Sequence, residues 1–326
     1  MTVTFSFDRM NLPFRTDFCL GGVHCLLSTN SHSVLQQAVP WQSSPADSAA
    51  ATFHMEIIED SSLDPGQKKI THFRGMRHLV FAMIEPGSFV TYDLLRREVR
   101  GVLSSEAARD ASFWKAKFLP ITLGVLGTTL GVAPLHCACL VRNSDGLLIT
   151  GVSGSGKSTL TAALASRGFT VVSDDWTYLS QKNESLMAEG LWAPIKLLPD
   201  TSRFFPELQK SIPRKTLNGE IAYEIEPGRF RASAAISSCE PKLTIFLERT
   251  TLPGTRFLPS QPEDVRHYFE SNAERLPEEL SSAKSSRSEI INRLSECPSW
   301  LLRTGDDPHK TAEAIEQFLS EANYGV

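Results

Sequence analysis

Leu147 to Tyr178 reads LLITGVSGSGKSTLTAALASRGFTVVSDDWTY. Its residues Gly151, Val152, Ser153, Gly154, Ser155, Gly156, Lys157 and Ser158 fit the pattern G-x-x-x-x-G-K-[ST] without exception. A loop that wraps a polyphosphate turns its backbone N–H groups inward, and the positive φ angles this requires are cheap only for glycine. Gly154 and Gly156 stand where those angles are needed. Lys157 then offers a cation to the β- and γ-phosphates, and Ser158 offers a hydroxyl to Mg²⁺. The helix starting there, with Thr159 in its first turn, points its positive end at the same anion. Residues 151–159 are therefore expected to hold ATP with Mg²⁺.

The flanks fix the local fold. Leu147-Leu148-Ile149-Thr150 is a short apolar run suited to a buried parallel strand. Ser158 to Arg167 carries apolar residues at Leu160, Ala163 and Leu164, a helical spacing, and Gly168 sits where a C-terminal cap belongs. Phe169 to Val172 reads as the next strand. A strand–helix–strand crossover is right-handed and brings its second strand back parallel to the first, so both carboxyl ends face one edge. Asp174 and Asp175 emerge at that edge. One carboxylate can serve Mg²⁺ and the other can take a proton from an attacking hydroxyl.

The segment resembles the bacterial HPr kinase/phosphorylase family and its wider circle of HPr-kinase-like proteins. The shared features are GVSGSGKS, Arg167-Gly168 before a short apolar strand, the pair Asp174-Asp175, and His136 in PLHCACLV on the strand preceding the loop. The resemblance covers about Leu135 to Tyr178. It implies an α/β P-loop kinase domain of the HPr kinase/phosphoenolpyruvate carboxykinase type that phosphorylates a protein serine. It also implies that Lys157 and Ser158 serve phosphate and metal, that Asp174 is the base, that Asp175 is a metal ligand, and that His136 stabilises charge or orients the acceptor. The family's downstream LExRGxG element has no counterpart, since LWAPIKLLPDTSRFFPEL (191–208) stands there. HPr as acceptor and the reverse, phosphorolytic reaction are therefore not carried over.

The rest of the chain sets bounds. Its 326 residues suffice for one large core or two modest domains, and a formal net charge of −4 with no basic run argues against nucleic acid. The six cysteines show no C-x-x-C pair, which suits free thiols, the cytoplasm and no metal cluster. Cys137 and Cys139 are expected on one strand face as small hydrophobes. No apolar core follows a basic start in MTVTFSFDRMNLPF, so no leader is expected. Phe118 to Leu135 is uncharged but interrupted by Pro120, Gly124, Gly127 and Gly131. It reads as a buried helix packed behind the loop, feeding a strand over Leu135 to Val141, and no membrane association is expected.

Character changes near Ser104. Residues 1–104 form a small β-rich N-terminal domain: a strand at Thr52–Ile58, a hairpin from His78–Ile84 to Ser88–Tyr92 around Glu85-Pro86-Gly87, a strand at Val99–Leu103, a helix near Ser33–Ala38 and a loop from Pro40 to Ala51. Residues 105–326 form the P-loop domain. Within it, Leu243–Leu247 is a strand delivering Glu248-Arg249 to an edge, where Glu248 either joins the metal shell or ends the strand in a salt bridge. Lys196, Arg203, Lys215, Arg229 and Arg231 fall in a loop-rich region, with Lys196 the foremost candidate to meet the acceptor. Glu263 to Arg293 supplies polar helices. Trp300–Arg303 is a strand, and Asp307 caps a helix begun by Pro308, so Asp306-Asp307 reads as capping. The expected partner is a protein or peptide carrying a serine, with self-association left open. Two further classes fit the same residues, a nucleotide-driven ATPase or switch and a kinase of a small hydroxylated metabolite.

Overall fold

The computed structural model describes residues 11–41, 52–63, 72–85, 87–191, 193–216, 219–226, 237–251 and 254–321, a mixed α/β chain with several sheets. It divides into two units, Met1–Leu130 with Pro277–Leu280, and Gly131–Leu276 with Ser281–Val326. The break thus falls at Gly131, later than Ser104.

The first unit is a seven-stranded sheet built from β1 (Phe14–Leu20), β2 (Val23–Thr29), β3 (Thr52–Asp60), β4 (His72–Met76), β5 (Leu79–Glu85), β6 (Ser88–Asp93) and β7 (Glu98–Ser104). Their order is β1-β2-β3-β7-β6-β5-β4, with β2, β3 and β7 parallel and hairpins on either side. The alternation read in 52–58 is realised: Phe53, Met55 and Ile57 are fully buried. The β1–β2 hairpin turns on Gly21-Gly22, both at positive φ. Of the loop read from Pro40 to Ala51, residues 42–51 lie outside the described residues.

The helix α1 (His32–Ala38) is capped by the Ser31 hydroxyl, which accepts from the Val34 N–H. After α2 (Ser105–Arg109) and α3 (Ala111–Phe113), a π-turn at Trp114–Phe118 leads into α4 (Leu119–Leu126). The uncharged stretch is therefore a broken helix that stops before Gly131, whose φ is 75°. It belongs to the first unit, where α4 packs on β6. Among the described residues no helix is long and apolar enough to cross a membrane.

The second unit carries β8 (Val132–Leu135), β9 (Ala138–Arg142), β10 (Asp145–Thr150), β11 (Thr170–Ser173), β12 (Thr177–Lys182), β13 (Ser185–Glu189), β14 (Ile195–Leu197), β15 (Arg214–Lys215), β16 (Ile221–Ile225), β17 (Ser238–Arg249), β18 (Arg256–Pro259) and β19 (Ser299–Thr304). Its helices are α5 (Lys157–Ser166), α6 (Pro262–Ser271), α7 (Ser281–Ser295) and α8 (Pro308–Glu321). The main sheet runs β11-β9-β10-β17-β13-β12-β8, with β19 on β17 and β18 on β19, while β14, β16 and β15 form a small separate sheet.

The apolar run that opens the quoted segment is covered on both faces. Leu147 and Ile149 pack in one cluster with Leu160 and Leu164 of α5 and Ile315 of α8. Leu148 packs in another with Val265 of α6 and Ile291 and Leu294 of α7. Full burial of each such side chain contributes about 1.5–3 kcal/mol, so this strand needs apolar residues at every position rather than at alternate ones. At the end of α5 the Gly168 N–H bonds the Ala165 carbonyl and the Phe169 N–H bonds the Leu164 carbonyl, with Gly168 at φ 98°. That double closure satisfies carbonyls the helix would otherwise leave open.

One feature of the crossover differs from its simplest form. The strand β9 lies between β10 and β11 and is antiparallel to both, so those two are parallel but one strand apart. A two-residue turn, Asn143-Ser144, joins β9 to β10 with both residues at positive φ, the conformation that matches strand twist. Because β9 runs the other way, its beginning reaches the edge where β10 and β11 end. The strand read over Leu135 to Val141 is accordingly two strands, broken at His136-Cys137.

Candidate functional site

At that edge the glycine-rich loop joins β10 to α5. Gly151 has φ 151°, and a Cβ there would stand 2.5 Å from the Leu247 carbonyl oxygen of β17. Gly156, the N-cap of α5, has φ 96°. Lys157 is 8% exposed, and its ammonium folds back over the loop to donate to the Gly151 carbonyl at 2.9 Å. Burial lowers the Lys157 pKa, opposed by the charges of Asp175 and Asp174, which places both carboxylates near its ammonium.

The two aspartates occupy different surroundings. Asp174 is buried at the start of α5: its Oδ2 accepts from the Lys196 backbone N–H at 3.3 Å, and the Ser158 and Thr161 hydroxyls lie beside the carboxyl. Its Oδ1 is buried with no hydrogen-bond partner among the described residues. A buried carboxylate oxygen in that state costs on the order of 1–3 kcal/mol, which a bound cation would recover. Burial pushes the Asp174 pKa from 3.8 up to about 7, against the hydroxyl and N–H donors that pull it down.

Asp175 is half exposed and accepts from His136 Nε2 at 2.8 Å. Burial raises its pKa, but the His136 bond and the positive charges of His136, Lys196 and Lys157 outweigh this and hold it below the usual value. The break before β9 is what presents His136. The Thr150 hydroxyl donates to the His136 carbonyl at 3.2 Å, and the Thr177 hydroxyl to the Cys137 carbonyl at 2.8 Å, so strand ends on either side pin the kink. Trp176, exposed, stands with its ring 5.6 Å from that of His136.

Lys196 lies in β14 rather than a loop, contributing its N–H to Asp174 and its charge to Asp175. Arg203 falls in a short 3₁₀ turn and Lys215 in β15, while Arg229 and Arg231 lie outside the described residues. Glu248 pairs with Arg303 at 2.9 Å, the salt-bridged strand end. Asp307 caps α8 by accepting from the His309 and Lys310 N–H groups. Cys137 and Cys139 are both fully buried in an apolar cluster, although Cys137 precedes its strand. Thr161 and Trp176 carry no residue-type signal for this site, and only their neighbourhood to the loop and the aspartates marks them.

A hydroxyl and a buried carboxylate with an open oxygen are hard oxygen groups of the kind a divalent cation accepts, and Lys157 beside them supplies positive charge, not a ligand. Among the described residues no cluster of three His, Cys, Asp or Glu side chains could hold a metal unaided.

The fold in solution sets the pH response of this arrangement. Because the fold favours neutral Asp174, this group's contribution to stability is fully present below about pH 4, where the unfolded chain also keeps the proton, and is lost as pH rises through about 7. Asp174→Asn cannot ionise. It is expected to raise the thermal midpoint of the metal-free protein at pH 8 by about 5 °C, the gap closing towards pH 4 in parallel melts.

No protein-family model matches the chain, and no curated protein matches it. Among solved structures it is similar to the Hpr(Ser) kinase/phosphatase from Coxiella burnetii, at 18% identity and a TM-score of 0.34, over 58% of this chain and 95% of that one.

Proposed function

We propose that the chain is an ATP-dependent, Mg²⁺-requiring kinase that transfers the γ-phosphoryl group to a serine hydroxyl of a protein or peptide. The observation that carries this reading is the half-exposed Asp175–His136 pair, 2.8 Å apart, at the edge where the Lys157 loop opens. A solvent-facing carboxylate held by a histidine can take the proton of an incoming hydroxyl, a group that a switch without chemistry does not need, and the identity of the nucleophile then separates transfer from hydrolysis. GVSGSGKS and the aspartate pair, which resemble the HPr-kinase-like pattern, support the same reading.

The roles differ from those the sequence suggested. Asp174, buried against Ser158 with one oxygen open, suits the metal, and Asp175, exposed and oriented by His136, suits the base. Mg²⁺ held by Ser158 and Asp174 would neutralise phosphate charge. Loop N–H groups and Lys157 orient the triphosphate and stabilise charge as it shifts to the leaving oxygen. The serine O–H gives its proton to Asp175, its oxygen bonds the γ-phosphorus, and the bond from that phosphorus to the β–γ bridging oxygen breaks, leaving ADP. His136 fixes the carboxylate's direction, and Lys196 adds positive charge beside it.

Incubation with γ-labelled ATP, Mg²⁺ and serine-containing peptides, followed by mass spectrometry, tests the proposal. Label on a serine is expected. Label released only as inorganic phosphate, whatever acceptor is offered, would establish the ATPase instead, and label on free serine or another small alcohol would establish the metabolite kinase.

A further inference from the structure

The first unit takes no part in the chemistry just described, yet one end of its sheet is left open. The strand β4 closes the order β1-β2-β3-β7-β6-β5-β4, so one side of its backbone has no strand beside it among the described residues. All five of its residues, His72 to Met76, are exposed. The N–H and C=O groups along such an edge are a template for a further strand unless proline, a bulge or an inward-pointing charge prevents it. This strand holds no proline and pairs with β5 without a register shift.

The register divides its side chains between two faces, since residues directly opposite each other lie on one side of a sheet. Phe73 stands opposite Ala82, and Ala82 opposite Val90, both buried, so Phe73 and Gly75 belong to the core face. Phe73 is nevertheless 46% exposed, and a Cβ on Gly75 would meet nothing within 4 Å. The core face thus ends in an aromatic ring with open space beside it and no charge to repel a neighbour. On the outer face His72 stands opposite Met83, Arg74 opposite Phe81 and Met76 opposite Leu79. Met76, Phe81 and Met83 are exposed there. Large apolar side chains gathered in the open at one sheet end mark an interaction surface, where singly scattered ones would not.

Charge decides what lies alongside. From 65 to 84 the chain has Lys68, Lys69, Arg74 and Arg77 and no Asp or Glu, although its formal net charge is −4. Arg77 is spent on Glu279, whereas Arg74 has no ion pair among the described residues. A second copy pairing through the same edge would set these cations against one another, and like charges across strands are destabilising. A segment that brings carboxylates is attracted instead.

We propose that β4 is a docking edge for an extended, acidic segment of a partner protein, which adds to the sheet as a further strand. Apolar residues alternate with Asp or Glu along that segment. Every second side chain packs on Phe73 and over Gly75, extending the core, and those between them meet Arg74 on the outer face. Main-chain hydrogen bonds supply affinity, and the alternation supplies selection. This goes beyond the kinase reading and does not depend on it, because the edge belongs to the first unit and the glycine loop to the second.

The test titrates the full chain against fluorescein-labelled peptides of about ten residues, read by anisotropy. One alternates Glu and Val, a second alternates Lys and Val, and a third has the first composition with all glutamates before all valines. The wild type is expected to bind the alternating Glu–Val peptide about tenfold more tightly than either control, a margin that a few exposed charge pairs and one covered ring can supply. Arg74→Glu is expected to cut the preference over the Lys–Val peptide about tenfold, and Phe73→Ser to weaken Glu–Val binding about fivefold. Both side chains are exposed, so neither change opens the core. Equal binding of the three peptides, binding of none, or preferences unchanged in both variants would overturn the proposal. Sedimentation velocity reads the competing occupant: a wild-type dimer that Phe73→Ser dissolves would assign the edge to a second copy and overturn it too. No phosphate enters these measurements, so their outcome is separate from that of the kinase reading.

Discussion

Asp175→Asn is expected to bind ATP within a few-fold of the wild type and to transfer phosphate about 10²–10⁴-fold more slowly, the usual worth of a placed proton acceptor. The amide keeps the size and the bond to His136 but cannot take the serine proton. The separation from Asp174 makes the result diagnostic. Asp174 lies buried against Ser158, so Asp174→Asn should act through Mg²⁺, raising the metal concentration needed for half-maximal rate. Single-turnover rates measured across a Mg²⁺ series distinguish the two. If Asp175→Asn responded to added Mg²⁺ and Asp174→Asn did not, the roles would be those the sequence first suggested. His136→Ala should lose less than Asp175→Asn, since it removes the orienting bond but not the acceptor.

Lys157→Ala is the second large effect. Its ammonium is buried, bonds the Gly151 carbonyl and lies near two carboxylates. In the proposed kinase that cation would turn from the loop carbonyl to the β- and γ-oxygens of the triphosphate. A hydrogen bond to a charged group contributes about 1.5–3 kcal/mol, so removing it should weaken ATP binding by roughly 10- to 10²-fold. Transfer should fall below detection, because charge that builds at the bridging oxygen loses its nearest counter-charge. Lys157→Arg is not expected to restore either quantity, since a planar fork does not fit a site made for a point cation. Unchanged ATP affinity by calorimetry would remove the loop from nucleotide binding.

How much of this was legible in the sequence follows from the range of the interactions. The loop, α5, its Gly168 cap and β11 depend on neighbours within about ten residues, and their residues announce them. Asp307 capping α8 is equally local. Three things were hidden. The insertion of β9 between β10 and β11 pairs strands whose apolar runs look alike in any order, so nothing in VVS or CLV says which neighbour each takes. The kink at His136-Cys137 is set by hydroxyls of Thr150 and Thr177, one of them forty residues away. The buried state of Asp174 depends on β14, whose Lys196 N–H arrives from a segment that reads as loop. The β1–β2 hairpin was also missed, although Gly21-Gly22 between two seven-residue runs was a usable signal.

The Asn143-Ser144 turn has a practical use. It closes β9 and β10 at the end of the sheet opposite to His136 and the glycine loop, so whatever is spliced between those two residues is carried away from the reacting atoms. A fluorescent label or an immobilising tag grafted there would leave the opposite edge clear, whereas the same graft at either neighbouring junction would fall at His136 or in the glycine loop itself.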